Sequence, residues 1–216
     1  MNELGLESSL ATTLLATRER CARHRYLGWN EAGLSARLPG GTDFLFVDAG
    51  AATPQRLSWL DAHEGSLTLH AAVYRLREDV GAVLTGGGVF TAALQDFGGT
   101  MPVGFDEQAR HLGRMPEAAP SITALEMRPR LVDGANTILV GHLPVCLGTT
   151  CQRLVLNAEL LEKCAKAYVL AAATGERVGE LPWWVRKIAI GRLHKDQRRA
   201  AQRFALGLLP EESRGY

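Results

Sequence analysis

The sequence lacks several features that would assign it to a specialised class of protein. None of its apolar runs reaches the roughly 18 residues that a membrane-spanning helix requires, and no basic segment precedes the apolar stretch near the N-terminus. We therefore expect neither a membrane span nor a secretory signal. Charge of one sign is not in excess, with 24 Lys and Arg against 23 Asp and Glu, which argues against nucleic acid as a partner. The 46% hydrophobic content excludes wholesale disorder.

Cysteine is scarce, and its four positions contain no Cys-x-x-Cys pair. They are Cys21, Cys146, Cys151 and Cys164. Cysteines with this distribution in a chain of 216 residues are typical of reduced structural thiols. The sequence therefore predicts a cytoplasmic protein with one domain or slightly more.

Hydrophobic periodicity predicts helices and strands in alternation. We expect Ser8 and Ser9 to cap a helix over about 9–25. A hairpin is predicted from strands 34–38 and 44–47 joined by Pro39-Gly40-Gly41. Further helices are predicted over 67–78, 89–97 and 153–173, and further strands over 81–85, 122–127, 137–141 and 145–149. This order favours one layered α/β or α+β domain.

The C-terminal segment from Leu181 to Leu209 carries seven Lys or Arg against one acid, Asp196. Pro182 suits the first position of a helix, and Trp183 and Trp184 begin its apolar side. One interpretation is a basic amphipathic helix for a membrane surface or nucleic acid. The other, which the near-neutral chain favours, is a tail that packs on the domain or on a neighbouring subunit. We thus expect a domain over 1–175 and a basic helical tail over 176–216.

Four segments of the chain stand in a familiar order: 28–38, 69–83, 137–142 and 158–168. The second, Leu-His-Ala-Ala-Val-Tyr-Arg-Leu-Arg-Glu-Asp-Val-Gly-Ala-Val, is the most specific. Together they resemble the class II aldolase/adducin family, which includes fuculose- and ribulose-phosphate aldolases and epimerases. The resemblance covers about residues 9 to 173.

This resemblance implies an α/β fold, a three-layer αβα sandwich with a central, largely antiparallel sheet. It also implies a homo-oligomer, usually a ring-shaped tetramer with sites between subunits. The chemistry implied is a zinc-dependent aldehyde-lyase or epimerase reaction on a sugar phosphate. In that reaction Zn²⁺ stabilises an enediolate as a Lewis acid, a carboxylate handles the proton, and Gly, Ser and Asn groups hold the phosphate.

The family's zinc site uses a His-x-His pair at the end of a strand and a third histidine farther on. The pair points both imidazoles to one side, because side chains on a strand repeat every two residues. Here the matching positions hold Thr85 and Gly87, and only His142 remains. Since zinc sites need three or four protein ligands or anchors, we expect no metal cofactor unless the site has been rebuilt.

A rebuilt zinc site would need new partners for His142, and Cys146, Cys151 and His111 are the candidates. The alternative, which we favour, is a hydrogen-bonded histidine left in the old cleft. The other histidines have no metal-ligand spacing and are interpreted as surface or helix residues. They are His24, His63, His70 and His194.

The catalytic and phosphate-binding positions implied by the resemblance have also changed. Ser66 stands where the family has its glutamate, and a serine without a partner is not a base near neutral pH. Glu64 is an alternative carboxylate. Ala32-Gly33-Leu34 replaces the family's Ser-Gly-Asn and keeps only Gly33, with Asn30 nearby as a ligand contact or an Asx-turn residue.

Gly86-Gly87-Gly88 lies between a predicted strand and a predicted helix. Backbone N–H groups at a helix N-terminus favour anions. The glycines are explained more simply if they occupy the vacated imidazole volume or form a plain turn, and we favour that interpretation. The segment has neither the spacing of a dinucleotide fingerprint nor the lysine of a P-loop.

Two functions follow from these residues, and no catalytic residue is assigned. The favoured one is a non-catalytic or strongly diverged family member whose cleft binds a small anionic, sugar-phosphate-like ligand. The alternative is an active aldehyde-lyase or epimerase with a site rebuilt around His142. A weaker hypothesis is a scaffold protein that acts through the basic tail. The ligand-binding candidates are Asn30, Gly33, Ser66, Thr85, Gly86, Gly87 and Gly88, and His142 is the metal candidate.

Overall fold

A six-stranded antiparallel sheet forms the centre of the molecule. The structure is a computed structural model and describes residues 3–61, 65–176 and 178–212. The strands are β1 (Gly33–Arg37), β2 (Asp43–Asp48), β3 (Gln55–Ser58), β4 (Ala82–Thr85), β5 (Thr137–Val140) and β6 (Leu143–Gly148). Their spatial order is β3-β2-β1-β4-β6-β5, so β1, β4 and β6 lie in the middle of the sheet.

Seven α-helices surround the sheet in the described part of the chain. They are α1 (Glu3–Arg23), α2 (Gly65–Leu76), α3 (Val89–Ala93), α4 (Asp106–His111), α5 (Ala124–Leu131), α6 (Cys151–Ala172) and α7 (Trp183–Ala205). A 3₁₀ turn over Leu94–Phe97 extends α3. The α6 helix begins at a conventional cap, because the Thr150 hydroxyl accepts a hydrogen bond from the Arg153 amide at 3.1 Å.

Two apolar cores cover the two faces of the sheet, because successive strand residues point to opposite sides. On β1 and β4, Leu34 and Leu84 belong to the core shared with α1 and α6. Val83 instead points to the core shared with α2 and α5. This alternation confirms the three-layer αβα sandwich with a central antiparallel sheet.

The α7 helix lies against α4 through one buried face. Leu193, Ala200 and Phe204 are buried on it, and the Leu181 amide just before the helix donates to the Val103 carbonyl at 2.9 Å. Phe204 also packs against the sheet, with its ring 5.2 Å from the Arg37 guanidinium carbon. None of the helices in the described ranges is long and apolar enough to cross a membrane.

One predicted element is wrong. The segment 122–127, predicted as a strand, enters the helix α5 at Ala124. Its apolar side chains Met127 and Leu131 are four residues apart and both buried, which is helical spacing. Glu126 and Arg130 form an ion pair at the same spacing on the helix surface.

One boundary and two short elements also differ from expectation. The first helix begins at Glu3, so Ser8 and Ser9 lie inside it and do not cap it. Strand β3 and helix α4 were not predicted, because segments of four and six residues carry too few apolar positions to establish a period.

Candidate functional site

The cleft implied by the sequence lies at the end of β4, where three segments meet. The Gly86 amide donates to the Pro144 carbonyl at 2.8 Å, which joins the glycine turn to the β5–β6 hairpin. The Trp29 indole N–H donates to the Gly87 carbonyl at 3.0 Å. The Trp29 ring also stacks on the imidazole of His142, with 6.0 Å between ring centroids. This cleft is therefore lined by Trp29, the glycine turn and the exposed His142.

Thr85, which the resemblance aligns with the first histidine of the family's pair, points to the interior of the protein. Its side chain is fully buried and faces α2. The hydroxyl donates to the Glu31 carbonyl at 2.8 Å, and the Gly33 carbonyl is a second acceptor at 3.2 Å. The Nε2 atom of the His70 imidazole also lies 3.3 Å from this hydroxyl oxygen. Thr85 is thus committed to the interior of the protein.

The His70 contact belongs to a buried chain of polar groups between α2 and the sheet. Ser35 Oγ lies 2.7 Å from His70 Nδ1 and 2.7 Å from the Tyr74 hydroxyl. Because the Thr85 hydroxyl donates to a carbonyl, it accepts from His70, and the ring proton is assigned to Nε2. The Ser35 hydroxyl then donates to Nδ1 and accepts from Tyr74. Every member of the chain is satisfied without a net charge.

Burial keeps this row of hydrogen-bonded polar side chains uncharged. Desolvation lowers the pKa of His70 to about 3, and it raises the pKa of Tyr74 above its ordinary value. His70 lies on a helix as expected, but the interpretation as a surface residue does not hold for it, since it is 0% exposed. The overlooked pattern is a serine and a threonine at inward-facing positions of otherwise apolar strands, Leu34-Ser35-Ala36 and Leu84-Thr85.

The glycine turn opens onto α3, whose N-terminal amides already have an anionic partner. The Glu162 carboxylate accepts hydrogen bonds from the Phe90 and Thr91 amides, both at 2.9 Å, and from the Thr91 hydroxyl at 2.6 Å. A Cβ at Gly88 would lie 2.4 Å from the Glu162 carboxyl carbon. Gly88 therefore gives the carboxylate of Glu162 the room to cap α3.

Gly86 and Gly33 are also explained by close packing. Gly86 has a φ of +128°, and a Cβ there would lie 2.3 Å from the Tyr26 carbonyl oxygen. Gly33 lies inside the sheet, where a Cβ would be 2.7 Å from the Phe46 ring. Among the ligand candidates, Asn30 is exposed beside the cleft. The Ser66 backbone belongs to α2, whereas its side chain, His63 and Glu64 lie outside the described residues.

The residues present do not fit a zinc site of the family type. Thr85 and Gly87 have no imidazole. The candidate replacement ligands Cys146, Cys151 and His111 do not lie near His142. Cys146 is buried in the core shared with α1 and α6. Cys151 and His111 lie beyond the C-terminal end of β6, whereas His142 precedes its first residue. Burial raises the pKa of Cys146 well above its usual range and that of Cys151 to about 12, so neither thiol offers a thiolate near neutral pH. Within the described ranges, no three His, Cys, Asp or Glu side chains are grouped to hold an ion.

Comparison with known families matches most of the chain to one of them. The family described as "Class II Aldolase and Adducin N-terminal domain" matches residues 4–169. No curated protein sequence matches the chain significantly.

Solved structures share the fold at low sequence identity. YgbL of Escherichia coli, described as a putative aldolase/epimerase/decarboxylase, is 19% identical with a TM-score of 0.69, over 86% of this chain and 99% of YgbL. L-fuculose 1-phosphate aldolase from Glaciozyma antarctica PI12 is 14% identical with a TM-score of 0.69, over 95% of this chain and 92% of the aldolase. An aldolase II superfamily protein from Pseudomonas syringae is 17% identical with a TM-score of 0.66, over 94% and 95% of the two chains. At these identities the likeness shows the fold.

Proposed function

Because the chain belongs to the class II aldolase and adducin family, we propose that it is a member that does not catalyse the zinc-dependent lyase or epimerase reaction. The observation that carries this proposal is the position of Thr85. Its hydroxyl is bonded to His70 and to backbone carbonyls on the interior side of the sheet. The position that supplies a zinc ligand in the family therefore supports the core of this protein.

The ligand class that we propose for the cleft is a small anion of the sugar-phosphate kind. Glu162 already holds the amides of Phe90 and Thr91, so such a ligand would bind beside the exposed Asn30 and His142 and not on the N-terminus of α3. The Trp29 ring, stacked on His142, provides an apolar wall at this place. The anion then contacts Asn30 and His142, whose exposed side chains can be substituted with little effect on the fold.

The alternative function is an aldehyde-lyase or epimerase with a site rebuilt around His142. It is favoured by the exposure of this imidazole at the cleft, where its ring lies on Trp29. The two proposals differ in one respect that can be measured, which is whether turnover of a sugar phosphate depends on His142.

We also propose a cytoplasmic homo-oligomer, a tetramer by resemblance to the family, with a family domain over 1–175 and a helical tail over 176–216. The support for an assembly is apolar surface at the start of α7. Trp183 is 67% exposed and Trp184 is 55% exposed, and tryptophan is enriched at protein–protein interfaces.

A turnover assay separates the two functions. The protein is incubated with phosphorylated ketoses, L-fuculose 1-phosphate among them, with and without added zinc. Aldehyde release is followed with a coupled dehydrogenase, and epimerisation is followed by NMR of the sugar phosphates. We expect neither reaction to exceed the rate of the protein-free control. Turnover by either reaction that disappears in the His142→Ala variant, but persists in a His24→Ala control, would contradict the proposal and support the rebuilt enzyme.

A further inference from the structure

A second cavity, of about 460 Å³, lies at the opposite end of the sheet from the cleft. It is bordered by Thr149, which follows the last residue of β6, whereas His142 precedes the first. At roughly 3.3 Å per strand residue, the two places are on the order of 20 Å apart. The walls come from the end of α4, the first turn of α6, one face of α7 and the segment 210–212.

Four arginines from three helices line this cavity. Arg110 comes from α4, Arg153 from α6, and Arg199 and Arg203 from α7. His111 lies among them, and its Nδ1 is 3.2 Å from the Arg153 guanidinium. Desolvation, Arg153 and Arg110 lower the pKa of His111 to about 4. The imidazole is therefore uncharged near neutral pH, and its environment is one that repels a further positive charge.

Three carboxylates line the cavity together with these four arginines. Asp196 on α7 pairs with Arg110 and approaches Arg199 at 3.8 Å. Glu211 pairs loosely with Arg203 at 3.6 Å, and its side chain is 84% exposed. Glu212 also lines the cavity. Exposed pairs of this kind contribute little to stability, so the glutamates of the 210–212 segment are weak competitors for the arginines.

We propose that this arginine cavity is a binding site for a small phosphate-bearing molecule, separate from the family cleft. Guanidinium groups bind phosphate oxygens in pairs of parallel hydrogen bonds. Guanidiniums from α4, α6 and α7 line one concave volume, which is of the size that small-molecule sites usually have. The Asn136 and Gln197 side chains, both buried in the wall, donate to the His111 and Gly134 carbonyls and hold the wall in place.

The site depends on a part of the chain that the family match does not include. The match ends at residue 169, and α7 begins at Trp183. Two of the four arginines and one wall of the cavity come from this helix. The basic character of α7 noted in the sequence thus has a specific use, since one of its faces completes the cavity.

The direct test is isothermal titration calorimetry with pyrophosphate, and then with inorganic phosphate, at constant ionic strength. We expect saturable binding of pyrophosphate to the full chain. A double variant, Arg199→Gln with Arg203→Gln, should bind at least about tenfold more weakly, since each lost charge-assisted hydrogen bond costs that much or more. Replacing Glu211 and Glu212 with glutamine should tighten binding, because the competing carboxylates are gone.

Two control variants make the test specific. Arg192→Gln with Arg198→Gln removes the same two charges from exposed positions of α7 that do not line the cavity, and should retain the wild-type affinity. His142→Ala alters the family cleft and should also retain it. The absence of binding at millimolar pyrophosphate, an equal loss in the Arg192 and Arg198 double variant, or loss in His142→Ala would each overturn the proposal, while leaving the turnover experiment unaffected.

A measurement on the unmodified protein covers the case in which the double variant does not fold. Bound pyrophosphate should raise the pKa of His111, because an anion beside the ring favours the imidazolium. Histidine Cε1–H resonances followed by NMR through a pH titration report this shift. An unchanged His111 titration at saturating pyrophosphate would overturn the proposal.

Discussion

The buried His70 predicts that the protein loses stability on mild acidification. In the folded state the pKa of His70 is lowered to about 3 from its ordinary value of 6.5. Below pH 6.5 the unfolded chain therefore binds a proton that the folded chain does not, and the free energy of unfolding falls as pH decreases. The contribution of the uncharged His70 to the free energy of unfolding is fully present above pH 6.5 and is lost progressively as pH falls toward 3.

The magnitude follows from the linkage relation. Across this window each pH unit costs about 1.4 kcal/mol, so lowering the pH from 6.5 to about 5 removes roughly 2 kcal/mol. The side chain is fully buried, so solvent screening does not reduce this figure. The structural reason is that Ser35 already donates to Nδ1, and a proton at that nitrogen would place two donors against each other.

The assay is urea unfolding at several pH values between neutrality and about pH 5, for the wild type and for His70→Gln. The variant is expected to be less stable at neutral pH, because Ser35 and Thr85 lose their shared partner. The difference in the free energy of unfolding between the wild type and the variant should decrease by about 2 kcal/mol as the pH is lowered to about 5. Other groups, His111 among them, titrate in both proteins and cancel in the comparison. A gap that is constant with pH would refute the reasoning.

Two further predictions concern carboxylates and their partners. The Arg77 guanidinium is buried, pairs with Asp79 and donates to three other oxygens, so Arg77→Met should reduce the free energy of unfolding by about 3–5 kcal/mol. Arg75→Met, at an exposed position in the last turn of α2, should change it by under about 1 kcal/mol, and equal losses in the two variants would contradict this prediction. Glu162→Ala removes the acceptor of two amides at the start of α3 and should cost about 2 kcal/mol. A thermal melt that shows no greater loss of stability than in Glu19→Ala, which removes an exposed carboxylate from α1, would contradict that role.

Strong local patterns made much of the fold predictable. The hairpin of β1 and β2 has apolar runs separated by a Pro-Gly-Gly turn, and α6 has more than five turns of helical period and a threonine cap. The segment Ile122–Met127 misled the prediction, because a few apolar residues fit both a strand and a helix. Burial against α2 and the Glu126–Arg130 pair select the helix there.

Only part of the candidate site could be predicted from the sequence. The resemblance alone places Thr85 and Gly87 where the family has its histidine pair. The partners of Thr85 do not, because His70 and Glu31 are 15 and 54 residues away along the chain. Similarly, Glu162 caps α3 from 71 residues away. Such contacts are decided by the packing of helices on the sheet, which local periodicity does not encode.

The arginine cavity was beyond sequence analysis for the same reason. The positive charge of α7 was evident, but the sequence did not say which of its faces meets α4 and α6. Only the packing of Leu193 and Ala200 against the domain turns Arg199 and Arg203 toward one cavity. The residues of α4, which form another wall, belong to an element that the sequence did not predict.

If the position of the family's zinc site has become part of the core, as we propose, the protein does not retain zinc, and its metal content is the decisive measurement. Elemental mass spectrometry is applied to untagged protein purified without chelators, before and after incubation with excess zinc and gel filtration. We expect far less than one zinc per chain in both samples, and no change in the His142→Ala variant. About one zinc per chain that is lost in His142→Ala would overturn the proposal and would show a rebuilt metal site.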